Sequence, residues 1–215
     1  MSAISKDDVL NLREKTGAGL IDCKRALVES NGDIDEAISI LRKKGVASAA
    51  KKAGRDAGEG IVAQFLSEDR TKGILVEVNC ETDFVAKNDD FVSFASDVAR
   101  QLLANPDADL EAQRTEQVAK IGENISVRRV QIVSTESGVL GAYKHGERIA
   151  VLTVLSSNDA ELAKDIAMHI AASKPECVSE DQLSTELLER EKAIFIEQAK
   201  ESGKPDNIIE KMIVG

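Results

Sequence analysis

One stretch of the chain reads Asn79-Cys80-Glu81-Thr82-Asp83-Phe84-Val85-Ala86-Lys87-Asn88 and joins a predicted strand, Gly73–Val78, to a helix predicted from about Asp89 to Ala104. A turn at the end of a strand is a common position for functional side chains, because the scaffold fixes their direction. This turn pairs a carboxylate, Asp83, with an aromatic, Phe84, in a chain that has five phenylalanines and no tryptophan. Two interpretations stay open: Phe84 packs into the core while Asp83 helps to cap the helix, or both side chains project as a functional pair.

The residues on either side of this turn predict an antiparallel sheet covered by helices. Ile61–Leu66 reads as a strand that precedes Gly73–Val78, and Ile125–Val133 reads as a third strand. The helix predicted from Asp89 has a wide apolar face, and Pro106 separates it from a second helix over Leu110–Ile121. We therefore expect an α+β unit over residues 56–137.

The pattern of strand, strand and helix then recurs. Gly138–Tyr143 and Arg148–Val154 repeat the two strands, and Asp97–Ala104 reappears 68 residues later as Asp165–Ala172. We predict a second, related α+β half over residues 138–215, again with an antiparallel sheet covered by helices. This half shows two strands before the pattern becomes helical, over Ser184–Lys200 and in a last helix that ends at Val214.

Residues 1–55 predict a separate bundle of three short helices. Ser5 caps the first, which ends at the glycines after Thr16; the second covers Leu20–Ser30; the third covers Ile34–Lys44 and is expected to stop at Gly45. Residues 46–57 read as a helical linker. A bundle of this size has a small core and is typical of a docking unit. The apolar Leu20 and Ile21 belong either to that core or to an exposed tip.

Composition and charge exclude several classes of protein. The net charge of −10 argues against a general nucleic-acid binder, although residues 1–55 carry a small basic surplus that fits solvated helix ends better than docking on an acidic partner. No apolar run is long enough to span a bilayer, and the polar start is no secretory signal. Three widely spaced cysteines fit reduced thiols in the cytoplasm.

Signals for chemistry are weak. We find no glycine-rich phosphate loop and no cluster with metal-ligand spacing. Cys80 has no visible base beside it, as a nucleophile requires. His169 lies on an apolar helix pattern and is expected in the core, whereas His145, in the turn Tyr143–Gly146, is either solvated or reaches into a partner.

Four segments carry a more specific signal, in the order Arg13–Lys24, Thr82–Lys87, Lys120–Ile125 with Arg128-Arg129, and His169–Pro175. Together they resemble the elongation factor Ts family, the bacterial exchange factors of translation. The resemblance runs from the first helix to the last. It implies a bundle similar to ubiquitin-associated domains, followed by a core of two α+β halves, in agreement with the pattern above.

The same resemblance implies a function and a partner. The protein would bind the GTPase elongation factor Tu in its GDP-bound or nucleotide-free form and promote release of GDP, as a guanine nucleotide exchange factor. It would be no enzyme, would need no metal or cofactor of its own, and would bind neither nucleic acid directly nor a membrane. The alternative is a protein-binding module that uses the N-terminal bundle without catalysing exchange.

The resemblance also assigns site residues. Asp83 and Phe84 would intrude into the partner and dislocate its Mg²⁺. The flanking and docking residues would be Thr82 and Val85 beside the intruding pair, Arg13, Leu20, Ile21 and Lys24 on the bundle, and His145 in the second half.

One departure from the family concerns the end of the chain. Family members usually continue with a helical hairpin, a further strand and a terminal segment, whereas this sequence ends at Gly215. We therefore expect a short form or a fragment whose second sheet lacks a strand and exposes an edge. A second copy of the chain, in a homodimer, is the alternative source of that strand.

Overall fold

A computed structural model describes residues 4–201 of the chain, which divides into two units: the first ends at Ala172 and the second begins at Ser173. The first unit holds three helices followed by antiparallel sheets packed with helices, so the predicted α+β class is confirmed. The predicted domain boundaries at residues 55 and 137 stay predictions.

The bundle consists of α1 (Lys6–Thr16), α2 (Leu20–Glu29) and α3 (Ile34–Lys52). Helix α1 begins with a capping box, in which the Ser5 hydroxyl accepts from the Asp8 N–H and the Asp8 carboxylate accepts from the Ser5 N–H. Gly17 ends it with φ 65°. The apolar core of the bundle is small, as predicted, and comprises Leu12, Cys23, Ala26, Leu27 and Ala37.

The prediction that Gly45 ends the third helix is wrong, because α3 continues through Gly45 to Lys52 and absorbs much of the expected linker. Gly45 is buried, and a Cβ placed on it would lie 3.3 Å from the Cβ of Ala119. The glycine therefore allows α3 to approach another helix closely. Ala49, one turn further on, belongs to the main core.

The main sheet has the order β1–β2–β3, with β1 (Glu59–Leu66), β2 (Lys72–Cys80) and β3 (Ser126–Ser134) all antiparallel. Helices α5 (Asp89–Ala104) and α6 (Glu111–Ile121) follow the central strand in sequence and, with the sheet, bury the main core. Phe91 is fully buried there. The strands and helices predicted for this half are confirmed to within two residues.

The strand–strand–helix pattern recurs in β4 (Val139–His145), β5 (Ile149–Leu155) and α7 (Ala160–Ser173), where β4 and β5 pair antiparallel. Helix α7 lies close to this sheet, since the Thr153 hydroxyl donates to the Ala163 carbonyl at 2.8 Å. The Val62 N–H of β1 donates to the Glu147 carbonyl in the β4–β5 turn at 2.8 Å. The expectation that His169 lies in the core is wrong, because α7 exposes this side chain.

The second unit contains a short 3-10 helix, Glu180–Gln182, and α8 (Thr185–Glu201), which confirms the helical pattern predicted from Ser184. The last predicted helix, up to Val214, lies outside the described residues. Among the residues that the structure describes, no helix is both long and apolar enough to cross a membrane.

Candidate functional site

The turn after β2 forms a one-turn helix, α4 (Asp83–Ala86), where the sequence predicted a turn without assigning a helix. Thr82 caps it, because its side-chain oxygen accepts from the Val85 N–H at 3.4 Å. Ala86 is buried and Val85 packs against the main core. These two residues anchor α4 and leave its other side free to project.

Phe84 projects from α4 into solvent, with 82% of its surface exposed. The interpretation that Phe84 packs into the core is therefore wrong, and the alternative, a projecting aromatic, holds. A phenylalanine is costly to leave in water, since its burial is worth about 1.5–3 kcal/mol. An aromatic ring exposed to this degree on an anchored turn is available for contact with a partner.

Asp83 lies beside Phe84 at the exposed start of α4 and pairs with Lys87 at 2.8 Å. The hydrogen bond from Lys87, reinforced by its charge, holds the pKa of the Asp83 carboxyl below its usual value. The turn therefore presents an ionised carboxylate next to an exposed aromatic ring at neutral pH.

A loop from another part of the sequence supports this turn. Glu123 and Asn124, which follow α6, both form hydrogen bonds with the residues between β2 and α4. In the sequence, Lys120–Ile125 stands out only as one of the segments that carry the family resemblance, and no functional role is predicted for it. Since the loop and the turn are about 40 residues apart, no local pattern relates them.

The predicted docking residues of the bundle surround the turn between α1 and α2. Leu20 and Ile21 begin α2 and are 46% and 68% exposed, so they form an apolar tip and no part of the core. Arg13, in the last turn of α1, and Lys24, in α2, are exposed as well. The surface therefore combines exposed apolar side chains with cations.

His145 ends strand β4, opposite Ile149, and so lies one residue before the turn where the sequence had placed it. The side chain is exposed, and its ring stacks on Tyr143 with centroids 6.2 Å apart. The Tyr143 hydroxyl and His145 Nδ1 are 3.2 Å apart. This contact restrains the orientation of the imidazole at the tip of the hairpin.

The predicted site residues thus occupy three places in the first unit: the α1–α2 turn, α4 with its cap, and the end of β4. All three present exposed side chains at or near the ends of helices and strands.

The chemistry of the described residues does not suit covalent catalysis at Cys80. The thiol is buried and donates to the Thr82 carbonyl at 3.2 Å, and burial, together with the nearby Glu123 charge, raises its pKa to about 11. A thiol with this pKa is protonated at neutral pH and is a poor nucleophile. Within residues 4–201, no group of three or more histidine, cysteine or acidic side chains is placed to hold a metal ion.

Comparison with known proteins gives one consistent result. The family model "Elongation factor TS" matches residues 81–215. The chain is 53% identical over 226 residues to elongation factor Ts of Alkalilimnicola ehrlichii, covering 99% of this chain and 77% of the relative. It is 54% identical to that of Ruthia magnifica, covering 96% and 75%, and 48% identical to that of Hydrogenovibrio crunogenus, covering 99% and 77%.

Proposed function

The chain belongs to the elongation factor Ts family, and from this membership we propose that it is a guanine nucleotide exchange factor that acts on elongation factor Tu. The family takes part in translation elongation and is not enzymatic. The proposed exchange proceeds without covalent chemistry, in the cytoplasm, and with a protein as the direct partner. A net charge of −10 agrees with a protein partner better than with nucleic acid.

Beyond family membership, one structural observation carries the proposal. Phe84 is 82% exposed on a turn in which Val85 and Ala86 pack against the core. A GTPase holds GDP through its phosphate-binding groups and Mg²⁺. A factor that binds the nucleotide-free state more tightly must weaken nucleotide binding by the same factor. The free energy for this coupling comes from contacts that the factor makes only when the nucleotide site is distorted.

Phe84 supplies such a contact when it enters an apolar pocket of the partner. Its burial contributes about 1.5–3 kcal/mol, which corresponds to about 10- to 150-fold in an equilibrium constant. The adjacent Asp83 brings a negative charge towards displaced backbone donors and the partner's Mg²⁺ site. Thr82 and Val85 keep the pair in place, one as the helix cap and one as the apolar anchor.

We call Asp83 and Phe84 the wedge. The other exposed residues hold the partner while the wedge enters it. Leu20 and Ile21 provide an apolar contact, with Arg13 and Lys24 as flanking cations. His145 adds a contact from the second sheet. Binding at the bundle raises the local concentration of the wedge, so docking and exchange are separable properties.

The test is release of fluorescent GDP from elongation factor Tu at substoichiometric amounts of this protein. We expect acceleration by the wild-type chain and a loss of at least about tenfold in Phe84→Ala, with binding to the GDP-bound partner much less affected. Leu162→Ala, which removes a half-exposed apolar side chain from α7, is the matched control and should match the wild type. Binding without acceleration by the wild-type chain would instead support a docking module that uses the bundle alone.

A further inference from the structure

We propose that Glu123 is a positioning residue for the Asp83–Phe84 turn, an inference that rests on the proposed exchange function. Glu123 lies in the short loop between α6 and β3 and contacts neither Asp83 nor Phe84 by any hydrogen bond that the structure describes. It binds the residues immediately before them. Its role is therefore to hold the base from which the wedge projects.

The Glu123 carboxylate accepts three hydrogen bonds from the turn. Oε2 accepts from the N–H groups of Glu81 and Thr82, both at 3.0 Å, and Oε1 accepts from the Thr82 hydroxyl at 2.6 Å. Hydrogen bonds to a charged acceptor are shorter and stronger than neutral ones. One side chain thus satisfies two consecutive backbone donors at the point where β2 has ended and its partner strands no longer pair with the chain.

The third hydrogen bond links Glu123 to the helix cap. Because the Thr82 hydroxyl donates to Glu123, its lone pairs are left to accept the Val85 N–H. Glu123 therefore sets the orientation in which Thr82 caps α4. The direction of the Phe84 side chain depends on that single helical turn.

The loop that carries Glu123 is itself fixed at both ends. Gly122 ends α6 with φ 90°. The Asn124 N–H donates back to the Glu81 carboxylate at 2.6 Å, so turn and loop exchange hydrogen bonds in both directions. The Asn124 side-chain amide also donates to the Arg55 carbonyl at 2.9 Å. Three segments that are distant in sequence, at Arg55, Glu81–Thr82 and Glu123–Asn124, thus meet at the base of the wedge.

The same segment reaches the docking surface of the bundle. Lys120 pairs with Asp90 at 2.9 Å, and its methylene groups cover Gly17, where an added Cβ would lie 3.2 Å from them. Gly17 lies in the α1–α2 turn, which carries the exposed Leu20 and Ile21. Residues 119–124 therefore connect the α1–α2 turn to the wedge. A partner bound at the bundle thus meets Phe84 at a defined position.

Substitutions of Glu123 separate geometry from charge. Glu123→Gln keeps the length: its oxygen can accept the two N–H groups while its amide donates to the Thr82 hydroxyl. Glu123→Asp keeps the charge but is one methylene too short to make the same contacts. We expect Glu123→Asp and Glu123→Ala to slow the maximal rate of catalysed GDP release about tenfold, with the half-saturating concentration changed less than about threefold. Glu123→Gln should stay within about threefold of the wild type, and Glu116→Ala, on the exposed side of α6, should equal it.

A second measurement on the free protein decides the structural part independently of exchange. We expect amide hydrogen exchange at Glu81 and Thr82 to accelerate in Glu123→Asp and Glu123→Ala, and to stay slow in Glu123→Gln and Glu116→Ala. Unchanged amide protection in Glu123→Asp overturns the proposal, as does an Asp variant that exchanges nucleotide normally while the Gln variant fails. If the wild-type chain does not accelerate GDP release, the exchange function fails, whereas the amide data still test whether Glu123 holds the turn.

Discussion

At the scale of single residues, two phenylalanines of neighbouring helices have opposite roles. Phe84 on α4 is 82% exposed, whereas Phe91 on α5 is fully buried in the main core. Both lie in the same continuous region of sequence, and both are large apolar side chains. Their environments indicate that one stabilises the fold and the other is available to a partner.

We predict that truncating these two side chains affects stability very differently. Phe91→Ala should lower the free energy of unfolding by about 3–5 kcal/mol, because it leaves a cavity in the core. Phe84→Ala should change it by less than about 0.5 kcal/mol, as is usual for an exposed position. Denaturant unfolding followed by circular dichroism measures both. Comparable losses in the two variants would show that Phe84 packs in solution and is no wedge.

At the scale of secondary-structure elements, helix α3 packs against both the bundle core and the main core. Its first half closes the bundle through Ala37, and its second half packs on α6 and contributes Ala49 to the main core. Gly45 lies where α3 meets Ala119 of α6. A single continuous helix therefore attaches the bundle to the core, where a flexible linker would have left the two independent.

We predict that Gly45→Leu destabilises the protein by about 1–3 kcal/mol, because the new side chain must force α3 away from α6. Gly54→Leu is the matched control, since an added Cβ there meets no atom within 4 Å. Denaturant unfolding gives the free energies. Equal stability of the two leucine variants would mean that the close contact of α3 with α6 does not form in solution.

At the scale of the whole molecule, the two sheets differ in how completely they are paired. In the main sheet β2 has a partner on each side, whereas within the described residues the second sheet consists of β4 and β5 alone. A two-stranded sheet depends on what packs against it, here α7 and the contacts with β1. The second sheet therefore has less backbone protected by neighbouring strands.

We predict that hydrogen exchange in peptides spanning 139–155 is markedly faster than in peptides spanning 59–80. Mass spectrometry of the exchanged protein measures both regions in one experiment. Equal protection in a sample that sediments as a monomer would contradict the prediction. Equal protection in a dimer would indicate that a second copy of the chain pairs with the open edge.

The sequence by itself determined most of the secondary structure and the order of the elements. Three signals are local, since each depends on residues a few positions apart: the Ser5–Asp8 capping box, the helical apolar spacing from Asp89 and the apolar run Ile61–Leu66. The repeated pattern of strand, strand and helix, seen by comparing segments 68 residues apart, predicted the α+β class. The turn at Asp83 and Phe84 was also found from sequence, through its position between a strand and a helix.

The tertiary structure alone decided what several of these residues do. The sequence pattern predicts a helix end at Gly45, but the close approach of Ala119 makes it a packing position inside α3. The sequence leaves Phe84 in the core or on the surface, and the packing of Val85 and the burial of Ala86 set the orientation of α4 that exposes it. Glu123 reaches the Thr82 N–H across 41 positions of the chain. Such contacts depend on how distant segments pack together, and a local pattern carries no information about its distant neighbours.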